Sequence, residues 1–257
     1  MRICNLFRAL ESKNAFCFSN SNVISGGISM QKLVALMAFL LLVLMCSVSQ
    51  AANGYLEAYA NHRGDAVASR ANLLVICNDA DIVVAAAPAH SIVHEDDGTL
   101  YKYVSYSLVV DGDFVPATPD ATYVSNTLDL ALIVFPKTPE LANVTAVALA
   151  PSDAAAVAAQ VKEIACTTGN RNPGRVEKVG DKTMLVDFEK DVVRGESGAG
   201  VISGSDGRTL GIVLGFLEAD PSKAEVLRLT PNDMKGLLRA INHGGVPRGF
   251  VELDMNR

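Results

Sequence analysis

The chain has 257 residues, a formal net charge of −6, and 49% hydrophobic against 19% charged residues, so a globular protein with a sizeable core is expected. An acidic balance with no long Lys/Arg run gives no electrostatic footprint for nucleic acid or for an anionic membrane surface, and neither partner is expected.

Residues 1–51 read as an export segment. An apolar run of 16 residues, Leu33 to Val48, follows Lys32 and precedes Ser49-Gln50-Ala51, where small residues stand at −3 and −1 of a cut after Ala51. The run is shorter than the roughly 20 residues of a spanning helix, and no basic cluster follows it. Met30-Gln31-Lys32 would open a signal of ordinary length, which makes Met30 an alternative start. The mature chain is therefore expected to be periplasmic or secreted, with no membrane contact once the signal is removed. Of five cysteines, only Cys77 and Cys166 lie beyond the cut. Two thiols in an oxidising compartment are either bridged or buried separately.

Beyond the signal, short runs rich in Val, Ile, Leu and Tyr recur between turn signals. Strands are predicted at Asn72 to Cys77, Asp81 to Ala86, Tyr101 to Val110, Phe114 to Ala117, Leu130 to Phe135, Val161 to Thr167, Met184 to Phe188, Ala199 to Ser203 and Thr209 to Leu217. Asp111-Gly112-Asp113, Asn172-Pro173-Gly174, Gly180-Asp181 and Ser205-Asp206-Gly207 supply tight-turn dihedrals. Hairpins follow from this pattern, and crossover helices do not. The Ala-rich stretch Asp153 to Ala159 is a short helix or a connection between two strand-rich halves, with a boundary near residue 145. A final helix opens at Thr230-Pro231-Asn232-Asp233, with Thr as cap and Pro at the first position. Met234, Leu237, Leu238 and Ile241 share its apolar face, and Gly244 stops it.

The strongest chemical signal is Gly195-Glu196-Ser197-Gly198-Ala199-Gly200. Glycines on both sides of a serine permit backbone dihedrals closed to other residues, so that N–H groups can face an oxyanion beside an exposed hydroxyl. The nucleophile elbow of α/β-hydrolases is excluded, because it needs glycine where Ala199 stands and a helix afterwards. A serine hydroxyl needs a base, and the base an orienting group. His90 lies just beyond the apolar strand Ile82 to Ala86, placed to face a cleft; His62, His94 and His243 have polar, acidic and helix-end surroundings. Asp129 opens the apolar run Leu130 to Phe135, where a buried carboxylate needs partners. No metal-ligand spacing, phosphate loop or cofactor fingerprint is present, and no cofactor is expected.

Together these segments resemble the trypsin/chymotrypsin superfamily of serine peptidases, in a compact bacterial form. Pro88-Ala89-His90 is similar to its histidine motif, Leu128-Asp129-Leu130-Ala131-Leu132 to its aspartate segment, and Gly195-Glu196-Ser197-Gly198 to its Gly-Asp-Ser-Gly, in the same chain order. The resemblance implies an all-β fold of two six-stranded antiparallel β-barrels, residues 52–145 and 146–257, with a C-terminal helix closing the second. It implies Ser197 as nucleophile, His90 as base then acid, Asp129 as the group that orients His90, and the Gly195 and Ser197 N–H groups as oxyanion hole. A polypeptide substrate follows, and no oligomeric state is implied.

The resemblance also places Asp191 at the base of the specificity pocket, suggesting cleavage after Lys or Arg. Leu214, Gly215 and Phe216 would form the pocket wall, with Phe216 in place of a glycine and Leu214-Gly215 in place of Ser-Trp. Glu196 replaces the aspartate used in zymogen activation, no Ile-Val-Gly-Gly start is present, and Ser91 replaces a cysteine. The altered pocket motivates a second reading, a catalytically silent peptidase-like binding protein.

Overall fold

The computed structural model describes residues 53–59, 67–93, 101, 103–167 and 171–253; the expected signal, His62 and His94 lie outside them. The described strands are β1 (Gly54–Tyr59), β2 (Val67–Asn78), β3 (Ile82–Ala87), β4 (Tyr103–Val110), β5 (Asp113–Ala117), β6 (Ala121–Ser125), β7 (Ala131–Pro136), β8 (Gln160–Ala165), β9 (Gly174–Val179), β10 (Thr183–Phe188), β11 (Gly200–Ser203), β12 (Thr209–Leu217), β13 (Asp220–Arg228) and β14 (Phe250–Glu252). One α-helix, α1 (Pro231–Asn242), is described, and among the described residues no helix is long and apolar enough to cross a membrane.

Among the described residues, every pairing between the named strands is antiparallel, and the one parallel contact is an isolated bridge from Leu149 to Thr209. The second half forms the expected closed barrel of six strands, in the order β10-β13-β12-β11-β8-β9. The first half departs from expectation: it is an eight-stranded sheet, β14-β6-β7-β3-β2-β1-β4-β5, with no ladder among the described residues joining its ends. Its edges explain this. β5 carries Pro116, which lacks an N–H, and exposes Asp113, Phe114 and Pro116, so it pairs with β4 alone. β14, a late segment expected in the second half, returns to pair with β6 and occupies the other edge.

Burial follows the two-residue period of a strand. In β2, Leu73 and Val75 enter the interior of the first sheet, whereas Leu74 and Ile76 face the opposite way. β3 and β7 repeat the pattern, Val83, Ala85, Ile133 and Phe135 on one side and Val84, Ala86, Leu132 and Val134 on the other. The outer residues meet Ile212 of β12, Leu227 of β13, and Met234 and Ile241 of α1 in a core shared by both halves. Strands buried on both faces carry near-continuous apolar sequence, which is why these were the most legible runs. A third core, with Ile164, Met184, Val186, Val201 and Val226, fills the barrel.

The helix begins as predicted. The Thr230 hydroxyl oxygen accepts from the Asp233 N–H at 3.2 Å and its O–H donates to the Asp233 carboxylate at 2.7 Å, and Gly244 follows at φ +69°. The Ala-rich stretch after residue 152 holds only a single 3-10 turn, Ser152–Ala154. Among the described residues, Cys77 and Cys166 are not joined in a disulfide.

Candidate active site

Strand register brings His90 to Asp129. β3 pairs with β7 so that Ala87 faces Ala131, which sets the end of one strand beside the start of the other. Pro88 ends β3, and the 3-10 turn Ala89–Ser91 carries His90 over the top of β7, where Asp129 stands two residues before Ala131. The Asp129 carboxylate is then engaged twice. One oxygen accepts from the His90 main-chain N–H at 2.9 Å, and the other lies 2.6 Å from His90 Nδ1.

Burial acts to raise the pKa of Asp129. The hydrogen bond from the His90 ring, its charge, and the main-chain N–H groups of His90 and Ala89 outweigh that and hold the carboxyl below its ordinary range. An ionised carboxylate only accepts, so Nδ1 is the donating nitrogen, and in the neutral ring Nε2 then carries the lone pair.

Ser197 stands in the turns before β11. Glu196 N–H donates to Val193 C=O at 3.2 Å, and Ala199 N–H to Glu196 C=O at 3.0 Å, making two consecutive four-residue turns. Their third residues are Gly195 (φ +94°) and Gly198 (φ +78°), the pattern of type II turns. Gly195 is held to glycine by conformation only, since a Cβ would meet nothing within 4 Å. Gly198 is held by contact as well: a Cβ would come within 2.0 Å of the Asn72 carbonyl oxygen. No described residue accepts a hydrogen bond from the Gly195 or Ser197 N–H. The Ser197 hydroxyl donates to the Leu214 carbonyl at 3.1 Å.

His90, Asp129, Gly195 and Ser197 line one cleft of about 840 Å³. Leu214, Gly215 and Phe216 of β12 line it too. Asp191 does not: it is exposed and outside the cleft, and its buried neighbour Val192 lines the wall. The main chain accounts for this correction. Val192 N–H is fixed to the Pro221 carbonyl at 2.8 Å, and Asn172 grips Lys190, on the other side of Asp191, its Nδ2 donating to Lys190 C=O at 2.8 Å and its Oδ1 accepting from Lys190 N–H at 3.0 Å. With Val192 packed in the barrel core, the side chain before it projects outward.

Sequence reasoning missed Asn72 and Asn172, both fully buried. The available signal was a polar side chain at the head of an apolar strand or turn, since a buried amide must find partners. It also missed the charged residues of the cleft lining, Arg70 on β2, Arg194, and Glu218 and Glu225 around β13. Among the described residues, no group of three or more His, Cys, Asp or Glu side chains is placed to hold a metal ion.

No protein-family profile matches the chain, and no curated protein matches it by sequence. Solved structures do match. The Rv3671c protease of M. tuberculosis in its active form is 20% identical over 88% of this chain and 93% of its own, with a TM-score of 0.50. Deg5 is 16% identical over 80% and 94%, with a TM-score of 0.51. A serine endoprotease from Yersinia pestis is 14% identical over 77% of this chain and 65% of its own, with a TM-score of 0.52. The chain has the trypsin-like serine protease fold.

Proposed function

We propose that this chain is a serine endopeptidase that hydrolyses polypeptides through an acyl-enzyme. The two-point engagement of Asp129 with His90, in the cleft that also holds Ser197 between two glycine turns, carries this reading. Asp129 fixes the ring and its tautomer, which leaves Nε2 as the base. The Ser197 hydroxyl turns from the Leu214 carbonyl towards Nε2, gives up its proton, and its oxygen bonds the scissile carbonyl carbon. The Gly195 and Ser197 N–H groups take the charge that develops on the carbonyl oxygen. His90 returns the proton to the leaving amine as the C–N bond breaks, and a water, deprotonated in turn by His90, releases the acid.

The exposed position of Asp191 turns the specificity reading away from Lys and Arg. Half-buried Leu214 and Phe216 present apolar surface to the cleft over the buried Val192 and Val213, which supports an apolar residue before the scissile bond. Glu218 and Glu225 line the cleft as well, together with Arg70 and Arg194, so its lining carries charges of both signs. Export to the periplasm or beyond is part of the proposal and rests on the apolar run Leu33 to Val48.

The test is labelling with a fluorophosphonate probe, located by peptide mass mapping. Wild-type protein is expected to be labelled at Ser197 and Ser197→Ala not at all, with hydrolysis lost in parallel. A folded wild-type protein that takes no label would overturn the proposal and leave a silent binding protein.

A further inference from the structure

Asn72 sits at the start of the apolar stretch of β2, 1% exposed, and every hydrogen-bonding position of its side chain is used. Its Nδ2 donates to Gly195 C=O at 2.9 Å and to Ser197 C=O at 3.3 Å. Its Oδ1 accepts from the Thr167 N–H at 2.8 Å and from the Thr167 hydroxyl at 2.9 Å. Two donors face two carbonyls and one acceptor faces two donors, so the amide has one orientation. The main chain adds a third link, Asn72 N–H to Ser197 C=O at 2.7 Å, and the Asn72 carbonyl presses on Gly198.

We infer that Asn72 is a positioning residue that holds the 193–199 double turn so that the Gly195 and Ser197 N–H groups face the cleft; this rests on the endopeptidase reading. Type I and type II turns differ by a flip of the central peptide. In the turn from Val193 to Glu196 that peptide joins Arg194 to Gly195 and carries the Gly195 N–H. Glycine permits both forms, since it takes positive and negative φ with similar ease. Something outside the turn must therefore select one. Asn72 grips the carbonyls of the two residues whose N–H groups are left without described acceptors. It does so from the first sheet while anchored to Thr167 of the second half, so the turn is tied to the elements that hold His90. Asn53 shows what a merely structural asparagine does here. Equally buried, it accepts from Val75 N–H at 3.0 Å and donates to the Thr145 carbonyl, with no bond to the turn.

The experiment compares Asn72→Asp and Asn72→Ala with wild type and with Asn53→Ala. Asp keeps the acceptor for Thr167 but sets a carboxylate against two carbonyls; Ala removes the amide without burying a charge, which keeps a variant in hand if the first does not fold. Expected is a loss of roughly 10- to 100-fold in kcat with KM little changed, below the about 10²–10³ of deleting an oxyanion donor outright. Affinity for a peptide aldehyde, whose adduct carries the oxyanion, should fall by the same factor, and Asn53→Ala should lower Tm without either change. Folded Asn72 variants with wild-type kcat and aldehyde affinity, or with a lower Tm alone, would overturn the inference. An unlabelled wild-type protein would instead overturn the endopeptidase reading, and this inference with it.

Discussion

The two halves of the molecule hold their contributions to the cleft by different means. The first sheet positions His90 and Asp129 by register: both lie just past the paired ends of β3 and β7, whose side chains are packed on two faces. In the second half Ser197 and the pocket are positioned by turns, through positive-φ glycines and side-chain amides, one from Asn172 of the barrel and one from Asn72 of the first sheet. A strand end inherits the rigidity of a sheet. A turn has several low-energy forms and needs partners to select one. The first half should therefore fail through chemistry with the fold intact, and the second through local structure.

Replacing Asp129 tests the first half, and the largest effect is expected there. Asn at this position can present an N–H to Nδ1, which favours the tautomer with Nε2 protonated and removes the base. A fall of about 10⁴ in kcat is expected, the size seen for this change in the chymotrypsin-type triad, with little change in KM. The pH dependence has a definite sign. The Asp129 carboxyl titrates lower in the folded chain than its unfolded value of about 3.9. Its stabilising contribution is complete above that value and is lost as pH falls through the lower folded one. An acid titration of unfolding free energy should show this loss in wild type and lack it in Asp129→Asn. Identical acid limbs would mean that the contact with His90 does not form in solution.

The two turn glycines test the second half. Gly198→Ala meets both an unfavourable φ and a 2.0 Å clash with the Asn72 carbonyl, so the turn must leave the first sheet. Loss of measurable hydrolysis together with a lower Tm is expected. Gly195→Ala meets only the φ penalty, roughly 1–2 kcal/mol, and should fold with activity reduced but present. If the two variants lose equal stability, the close approach of Asn72 is not what constrains Gly198.

The same contrast decides what was legible in the sequence. β3, β7 and β12 were read almost to the residue because burial on one or both faces keeps them apolar. His90 and Asp129 stood out as polar residues at the ends of such runs, and Ser197 as a serine between glycines. β9 and β13 were missed because each turns Lys, Glu or Arg outward between inward residues such as Val176, Ala224 and Val226, and reads as polar turn sequence. β14 is three residues long, and its pairing with β6 is a long-range choice that no local pattern encodes. Asp191 was misplaced because counting along a chain cannot tell which of two neighbours points inward; the Val192 bond to Pro221 decides it. The roles of Asn72 and Asn172 depend on partners about a hundred and about twenty residues away, and only the fold supplies those.

The smallest expected effect separates those two asparagines. Asn172 clamps Lys190 within the barrel, just before the pocket wall at Val192, and has no bond to the turn that bears Gly195 and Ser197. Asn172→Ala leaves the main-chain N–H and C=O of Lys190 without their partner. Lys190 is exposed, so water can replace part of what is lost, and destabilisation should fall near the low end of the about 1–3 kcal/mol for an unpaired buried group. The wall at Val192 loosens while the oxyanion turn stays in place. KM for an apolar peptide substrate is then expected to rise a few-fold at nearly constant kcat, the reverse of the Asn72 pattern. Steady-state kinetics on both variants reads the split directly. If Asn172→Ala lowers kcat as Asn72→Ala is expected to, the pocket wall and the oxyanion turn move as one unit, and the barrel loops are less independent than their separate clamps imply.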